Sequence, residues 1–263
     1  MAEEATIRLS VFLGVFALMA MWEAYRPRRV RAQPRSMRWV ANLGLVVVDT
    51  VVVRLLFPAA AVGAAWDAVA AGWGLFNNLN WPVWLEILLT VVILDFAIWL
   101  QHVATHHIPF LWRFHMVHHA DRDMDATTGL RFHPVEIIFS MTLKILLVYL
   151  LGAAALAIII FEVLLNAAAM ITHANLKVPE KLDRLLRHVV VTPDMHRSHH
   201  SVIRSEHDTN FGFFLSVWDR WFGLYTDTPK GGHSGVELGL PPWRDERPAR
   251  LLWALTAPFR RKT

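Results

Sequence analysis

The sequence predicts an all-α integral membrane protein, a bundle of about four to five transmembrane helices with a histidine-rich helical cap on its cytoplasmic face. Three observations lead there. Of 263 residues, 55% are hydrophobic and 18% charged, with a mean hydropathy of +0.36, too apolar for an ordinary soluble domain. Apolar runs long enough to cross a hydrocarbon core of about 30 Å alternate with short arginine-rich segments. Fourteen histidines and no cysteines are present, and the histidines cluster where apolar runs end. Without cysteine there are no disulfides, iron–sulfur ligands or thiolate haem, so any metal is held by nitrogen and oxygen.

The first apolar run, residues 6–22, is near the lower length limit for a span. Its N-terminus, Met1-Ala-Glu-Glu, lacks the basic region of a cleaved signal, so the run is expected to stay as an anchor. Arg8 snorkels at its outer end. Arg26, Arg28, Arg29, Arg31, Arg35 and Arg38, broken by Pro27 and Pro34, then mark a cytoplasmic loop. The second run, 39–65, carries Asp49 and Arg54, charges that must face the bundle interior or water. Trp66, Trp73, Trp81 and Trp84 suit the opposite interface. A third run, 82–101, contains Glu86 and Asp95 and brings the chain back to the cytoplasmic side where the histidines begin. Residues 135–172 are too long for one crossing and suit a helical hairpin turning near Gly152, with Pro134 in its first turn. Out and back, the hairpin returns His173 to the side of His102.

Net charge is +4, and only Lys144, Lys177, Lys181, Lys230 and Lys262 of the 26 basic residues are lysines. The positive charge sits in short blocks beside apolar runs and not along one reading face, which excludes nucleic acid as a partner. The arginine-rich loop and the basic tail, 244–261, suit anionic headgroups or an acidic protein. In the tail, Leu251, Leu252, Trp253, Leu255 and Phe259 among arginines suggest an interfacial helix.

Three clusters carry the chemistry: His102, His106 and His107; His115, His118 and His119; His196, His199 and His200. Spacings of three and four residues put side chains on one helix face, so each cluster aims two or three imidazoles at one point. About eight imidazoles converging at one interface repel if protonated, whereas neutral imidazoles bound to metal are stabilised. Zinc takes four ligands, so two metal ions are the natural count. Asp95 shares a helical stripe with His102 and His106, from which a carboxylate can orient an imidazole. Its partner is expected in the last box or at His173. Glu162, Asn166 and His173 form a second polar line, orienting ligands or joining helices. His188, His207 and His233 read as solvated.

The stretch 95–223 resembles the fatty acid hydroxylase/sterol desaturase superfamily of membrane-bound histidine-box diiron oxygenases. Besides the boxes it holds Arg131-Phe-His133-Pro134-Val-Glu136, His173-Ala-Asn175, Thr192-Pro193, Asp208-Thr-Asn210-Phe-Gly212 and Trp218-Asp219-Arg220-Trp221-Phe222-Gly223. It departs from the pattern at Val103, usually arginine, and Ala174, usually serine. The resemblance implies two iron ions held by His102, His106, His115, His118, His119, His173, His196, His199 and His200. His107 and His133 are open as extra ligands, and Asp95 and Asn175 are the expected catalytic side chains. It implies O2 as cosubstrate, a C–H bond of a sterol-like, acyl or ether lipid as target, and hydroxylation or desaturation as outcome. With no cysteine and no dinucleotide fingerprint, electrons must come from a separate ferredoxin or cytochrome with its reductase.

The expected division is anchor helices at 1–81, a catalytic region at 82–229 and a basic amphipathic tail at 230–263. The expected location is a bacterial inner membrane with the active site facing the cytoplasm. Two other readings compete. A membrane zinc hydrolase would need a general base beside the metal, and no HExxH is present. A non-catalytic metal-binding protein would need ligands along a path through the membrane, whereas these gather at one end.

Overall fold

A computed structural model describes residues 2–260. Met1, and Arg261 and Lys262 of the basic tail, lie outside the described residues. All regular structure among the described residues is helical: α1 (Ala2–Tyr25), α2 (Arg35–Leu56), α3 (Ala60–Ala71), α4 (Val83–His107), α5 (Pro109–His119), α6 (Pro134–Leu151) and α7 (Ala155–His173) are followed by six short helices. These are α8 (Glu180–Leu186), α9 (Pro193–His199), α10 (Arg204–His207), α11 (Val217–Trp221), α12 (Gly232–Gly235) and α13 (Leu251–Thr256). Five helical stretches among the described residues are long and apolar enough to cross a membrane.

The second of these differs from the single run expected over 39–65. Its helix stops at Leu56 and restarts at Ala60, because Pro58 supplies no N–H and disfavours helical geometry at the residue before it. The hairpin turns where expected: Gly152 caps α6 with φ +67, a left-handed conformation that glycine adopts without a Cβ penalty. His133 caps the other end of α6, accepting the Val135 N–H on Nδ1, with Pro134 in the first turn. Glu86 accepts the Ala154 N–H ahead of α7 at 2.8 Å, and Leu75 N–H donates to Leu150 O nearby. The tryptophans at 66, 73 and 84 are exposed around this end.

At the opposite end the arginine-rich loop lies against the histidine cap. Arg28 pairs with Asp194, and the Ala32 and Gln33 N–H groups donate to Asp123. On α2 the buried residues Arg38, Ala41, Asn42, Leu45 and Asp49 recur every three or four positions and form one stripe. Of the two charges expected to face the bundle interior or water, Asp49 is buried, and Arg54 is exposed in the last turn of α2, where a long side chain reaches an interface. Arg8 is not free at an outer end: it pairs with Glu4 and with Glu162, which also holds Lys144 at 3.2 Å. Glu162 thus joins α1, α6 and α7, and Asn166 donates to its backbone carbonyl. The tail helix is also more integrated than an interfacial helix. Trp253, 5% exposed, joins Leu45, Met116 and Val117 in a core cluster, while Leu252 stays 71% exposed.

Candidate metal centre

The buried stripe of α4 includes Asp95, His102, Thr105 and His106, so both histidines leave the bundle on its inner face. The C-terminal half of α5 brings His115, His118 and His119; α7 ends at His173; α9 brings His196 and His199, with His200 as its C-cap. The nine imidazoles sort into two groups, His102, His106, His115, His119 and His199 in one and His118, His173, His196 and His200 in the other. Within each group the nitrogens offered lie within 4.8 Å of one another.

The nitrogens are not equivalent. Nδ1 of His102 donates to Phe211 O (2.7 Å), that of His118 to Arg131 O (3.2 Å), that of His173 to Ala169 O (2.7 Å) and that of His199 to Thr209 O (2.8 Å). A carbonyl only accepts, so these Nδ1 atoms carry the proton and Nε2 keeps its lone pair. His115 and His106 direct Nδ1 to carboxylates, Glu136 at 2.7 Å and Asp208 at 3.3 Å, the partner type that fixes ring orientation and raises ligand basicity.

The Nε2 atoms then face one another. His102 and His115 are 3.1 Å apart, His102 and His199 3.0 Å, and His106 and His119 3.1 Å. In the second group His173 lies 3.1 Å from each of His118, His196 and His200. Opposed lone pairs at that distance repel unless a cation sits between them. Imidazole nitrogens bound at about 2.1 Å to one metal are about 3.0 Å apart at right angles and about 3.4 Å apart in a tetrahedron. The spacing fits cis positions of a five- or six-coordinate ion better than tetrahedral zinc. Burial first, then the neighbouring imidazoles, holds His118, His119 and His200 well below the ordinary histidine range, so they are neutral and ligand-ready at pH 7.

Two carboxylate devices support the cap from outside. Arg38 donates to Asp121 at 2.7 and 2.8 Å and to Asp125 at 2.6 Å, fixing the loop that follows His119. Asp219 accepts from Trp99 Nε1, Phe211 N and Gly212 N, each at 2.9 Å, and so holds the carbonyl that orients His102. Burial raises the Asp219 carboxyl to about 6 against those three donors. Gly129 is required where the loop meets α7: a Cβ there would collide with Ala169 O and crowd His173.

Several expected residues fall elsewhere. Asp95 meets no imidazole; its Oδ2 accepts from Trp218 Nε1 at 2.8 Å and Leu215 N at 3.3 Å. The helical rise keeps it about two to three turns from the histidines of its own stripe. Asn175 also lies outside both groups, its side chain pairing with the Arg29 backbone in both directions, at 3.0 and 2.9 Å. It anchors the arginine-rich loop. His107 is exposed, and His133 serves the start of α6. His207, read as solvated, is buried and stacked on Trp112 at 5.3 Å, near His106 and Asp208. No local spacing pointed to Asp219 or His207, although both lie in or beside the quoted 208–223 motifs.

A membrane-embedded helical bundle ending in two buried histidine groups defines a class of membrane oxidoreductase. The fatty acid hydroxylase family model matches residues 87–224, and the chain belongs to that family, whose activity is of the hydroxylase/monooxygenase type. It is 26% identical to an ornithine lipid hydroxylase, OlsE, of Rhizobium tropici over 96% of this chain and 75% of the relative. It is 28% and 27% identical to the alkylglycerol monooxygenases of Xenopus tropicalis and Homo sapiens, over 55% and 56% of this chain and 30% and 32% of theirs. It thus spans about a third of the length of these two. No solved structure matches.

Proposed function

We propose that the chain is an O2-dependent diiron oxygenase that hydroxylates a C–H bond of a membrane lipid, with the nine grouped histidines holding the two irons. The observation that carries this is the convergence of lone-pair Nε2 atoms at 3.0–3.1 Å in two buried groups, between His102 and both His115 and His199 in one and between His118 and His173 in the other. Similarity to an ornithine lipid hydroxylase along nearly the whole chain favours an acyl aminolipid among the sterol-like, acyl and ether lipids. Bound at these groups, two irons supply activation of dioxygen for attack on an unactivated C–H bond.

The protein's own part is positional. Carbonyls of Phe211, Arg131, Ala169 and Thr209 and the carboxylates of Glu136 and Asp208 fix ring tautomer and direction. Burial of the cap keeps water from the site. The arginine-rich loop packed on the cap supports a site on the cytoplasmic side of an inner membrane under the positive-inside rule, and a ferredoxin or cytochrome with its reductase is the proposed electron donor. The test is lipid mass spectrometry of cells with and without the gene under 18O2. A lipid gaining one labelled oxygen only when the gene is present supports the reading; a new alkene without label reassigns it to desaturation; an unchanged lipidome in active membranes refutes it.

A further inference from the structure

A groove of about 250 Å³ opens between α4, α5 and α6. Its walls include Phe110, Leu111, Phe114 and Phe139, and its inner end Thr105 and Glu136. Phe110 and Phe139 are 64% and 41% exposed at the mouth; Phe139 lies on the candidate span α6 and Phe110 on the short helix between the spans α4 and α6, so the opening faces lipid. A 150 Å³ apolar cavity holds benzene, and by proportion this one accepts roughly ten carbons. Among these apolar walls Glu136 is only 8% exposed. One of its oxygens is taken by His115 Nδ1 at 2.7 Å; the other, Oε2, is buried without a partner. A buried carboxylate oxygen left unpaired is costly, and it belongs to a residue that lines the groove and also bonds His115 of the five-histidine group.

We propose that this groove is the lateral entrance for one hydrocarbon segment of a bilayer lipid, and that Glu136 Oε2 accepts a hydrogen bond from an O–H or N–H donor on that lipid. The inference rests on the lipid-oxygenase reading and adds to it a substrate class, an alkyl or acyl lipid with a hydrogen-bond donor beside the buried segment. The phenylalanine walls exclude a charged headgroup, which stays at the interface. Glu136 then acts on both sides, orienting His115 through one oxygen and positioning the lipid through the other.

The test uses a diazirine-bearing long-chain alcohol and its methyl ether as photoprobes, with the full chain in nanodiscs and adducts mapped by mass spectrometry. Labelling of Phe110, Phe114 or Phe139, with the alcohol favoured about tenfold over the ether, is the expected result. Glu136→Gln keeps an acceptor for His115 but turns a donor into the groove, and should abolish the tenfold preference while ether labelling persists. Phe139→Trp, a substitution at an exposed position, should reduce both probes. Adducts spread over other faces of the bundle, or an alcohol preference unchanged in Glu136→Gln, would overturn the proposal. Because labelling needs no turnover, groove adducts in a chain with no oxygenated product sink the oxygenase reading alone. Product without groove adducts sinks the groove alone.

Discussion

Replacing Arg38 by methionine removes the cation that ties the loop after His119 to α2, leaving only the weaker bonds from Trp39 to Asp125 and from Asn42 to Asp121 and Thr127. The guanidinium is fully buried and donates to Asp121, Asp125, the Asp123 carbonyl and Thr128 Oγ1. Burial pushes the Asp121 carboxyl up, yet Arg38, helped by Arg131 and the Thr128 hydroxyl, outweighs it and holds the group below its usual range. Methionine leaves two buried carboxylates without their cation. Removing one partner of a buried pair costs about 3–5 kcal/mol, and a cation shared by two carboxylates belongs at the upper end. Such a loss lowers Tm by roughly 10–20 °C for a chain of this size. Melting in nanodiscs, together with limited proteolysis of residues 121–128, reads the effect. The triple change Arg38→Met, Asp121→Asn, Asp125→Asn should recover part of it, because the stranded charges are gone. A single variant melting within about 2 °C of the parent, or a triple variant no better than the single, would refute the reasoning.

Asp219→Asn should leave the bundle folded but weaken metal binding about 10–100-fold, because the Phe211 carbonyl that orients His102 loses its support. Asp95→Asn should do much less, since that carboxylate serves Trp218 and Leu215; metal titration of the two variants side by side checks the difference. The metal-free cap should be acid-labile. His118, His119 and His200 are held below the ordinary value when folded, so the unfolded chain binds more protons below about pH 6.5. Their contribution is therefore full above that pH and falls as pH drops; a melting profile flat from pH 7.5 to 5 would contradict it, and metal loading should raise the whole profile without removing the acid loss, because protons compete for the same imidazoles. Cysteines introduced at Arg29 and Ser234 should be labelled only from the cytoplasmic side, and one at Gly72 only from the other.

What the sequence made legible was whatever repeats locally. Three- and four-residue spacing put His115, His118 and His119 on one short helix, and hydropathy over 135–172 implied the turn at Gly152. What it did not make legible depends mostly on contacts distant in the chain. Asp95 lies on the stripe of His102, but an indole and a backbone N–H some 120 positions later decide what it binds. Asn175 and Asp219 hold backbone segments, a role with no spacing signature. Burial of Trp253 and His207 depends on which loops fold over them, and the break before Ala60 follows from one proline inside an otherwise continuous apolar run.

The central claim is that the two histidine groups hold two irons. Protein purified without an affinity tag from iron-sufficient cells, with metal counted by mass spectrometry and 57Fe Mössbauer spectra recorded, tests it most directly. The account predicts two irons per chain in nitrogen-rich five- or six-coordinate sites, with His118→Ala and His199→Ala each losing metal and His188→Ala retaining it. One tightly bound zinc per chain with full lipid oxidation, or two irons retained in both box variants, would contradict it.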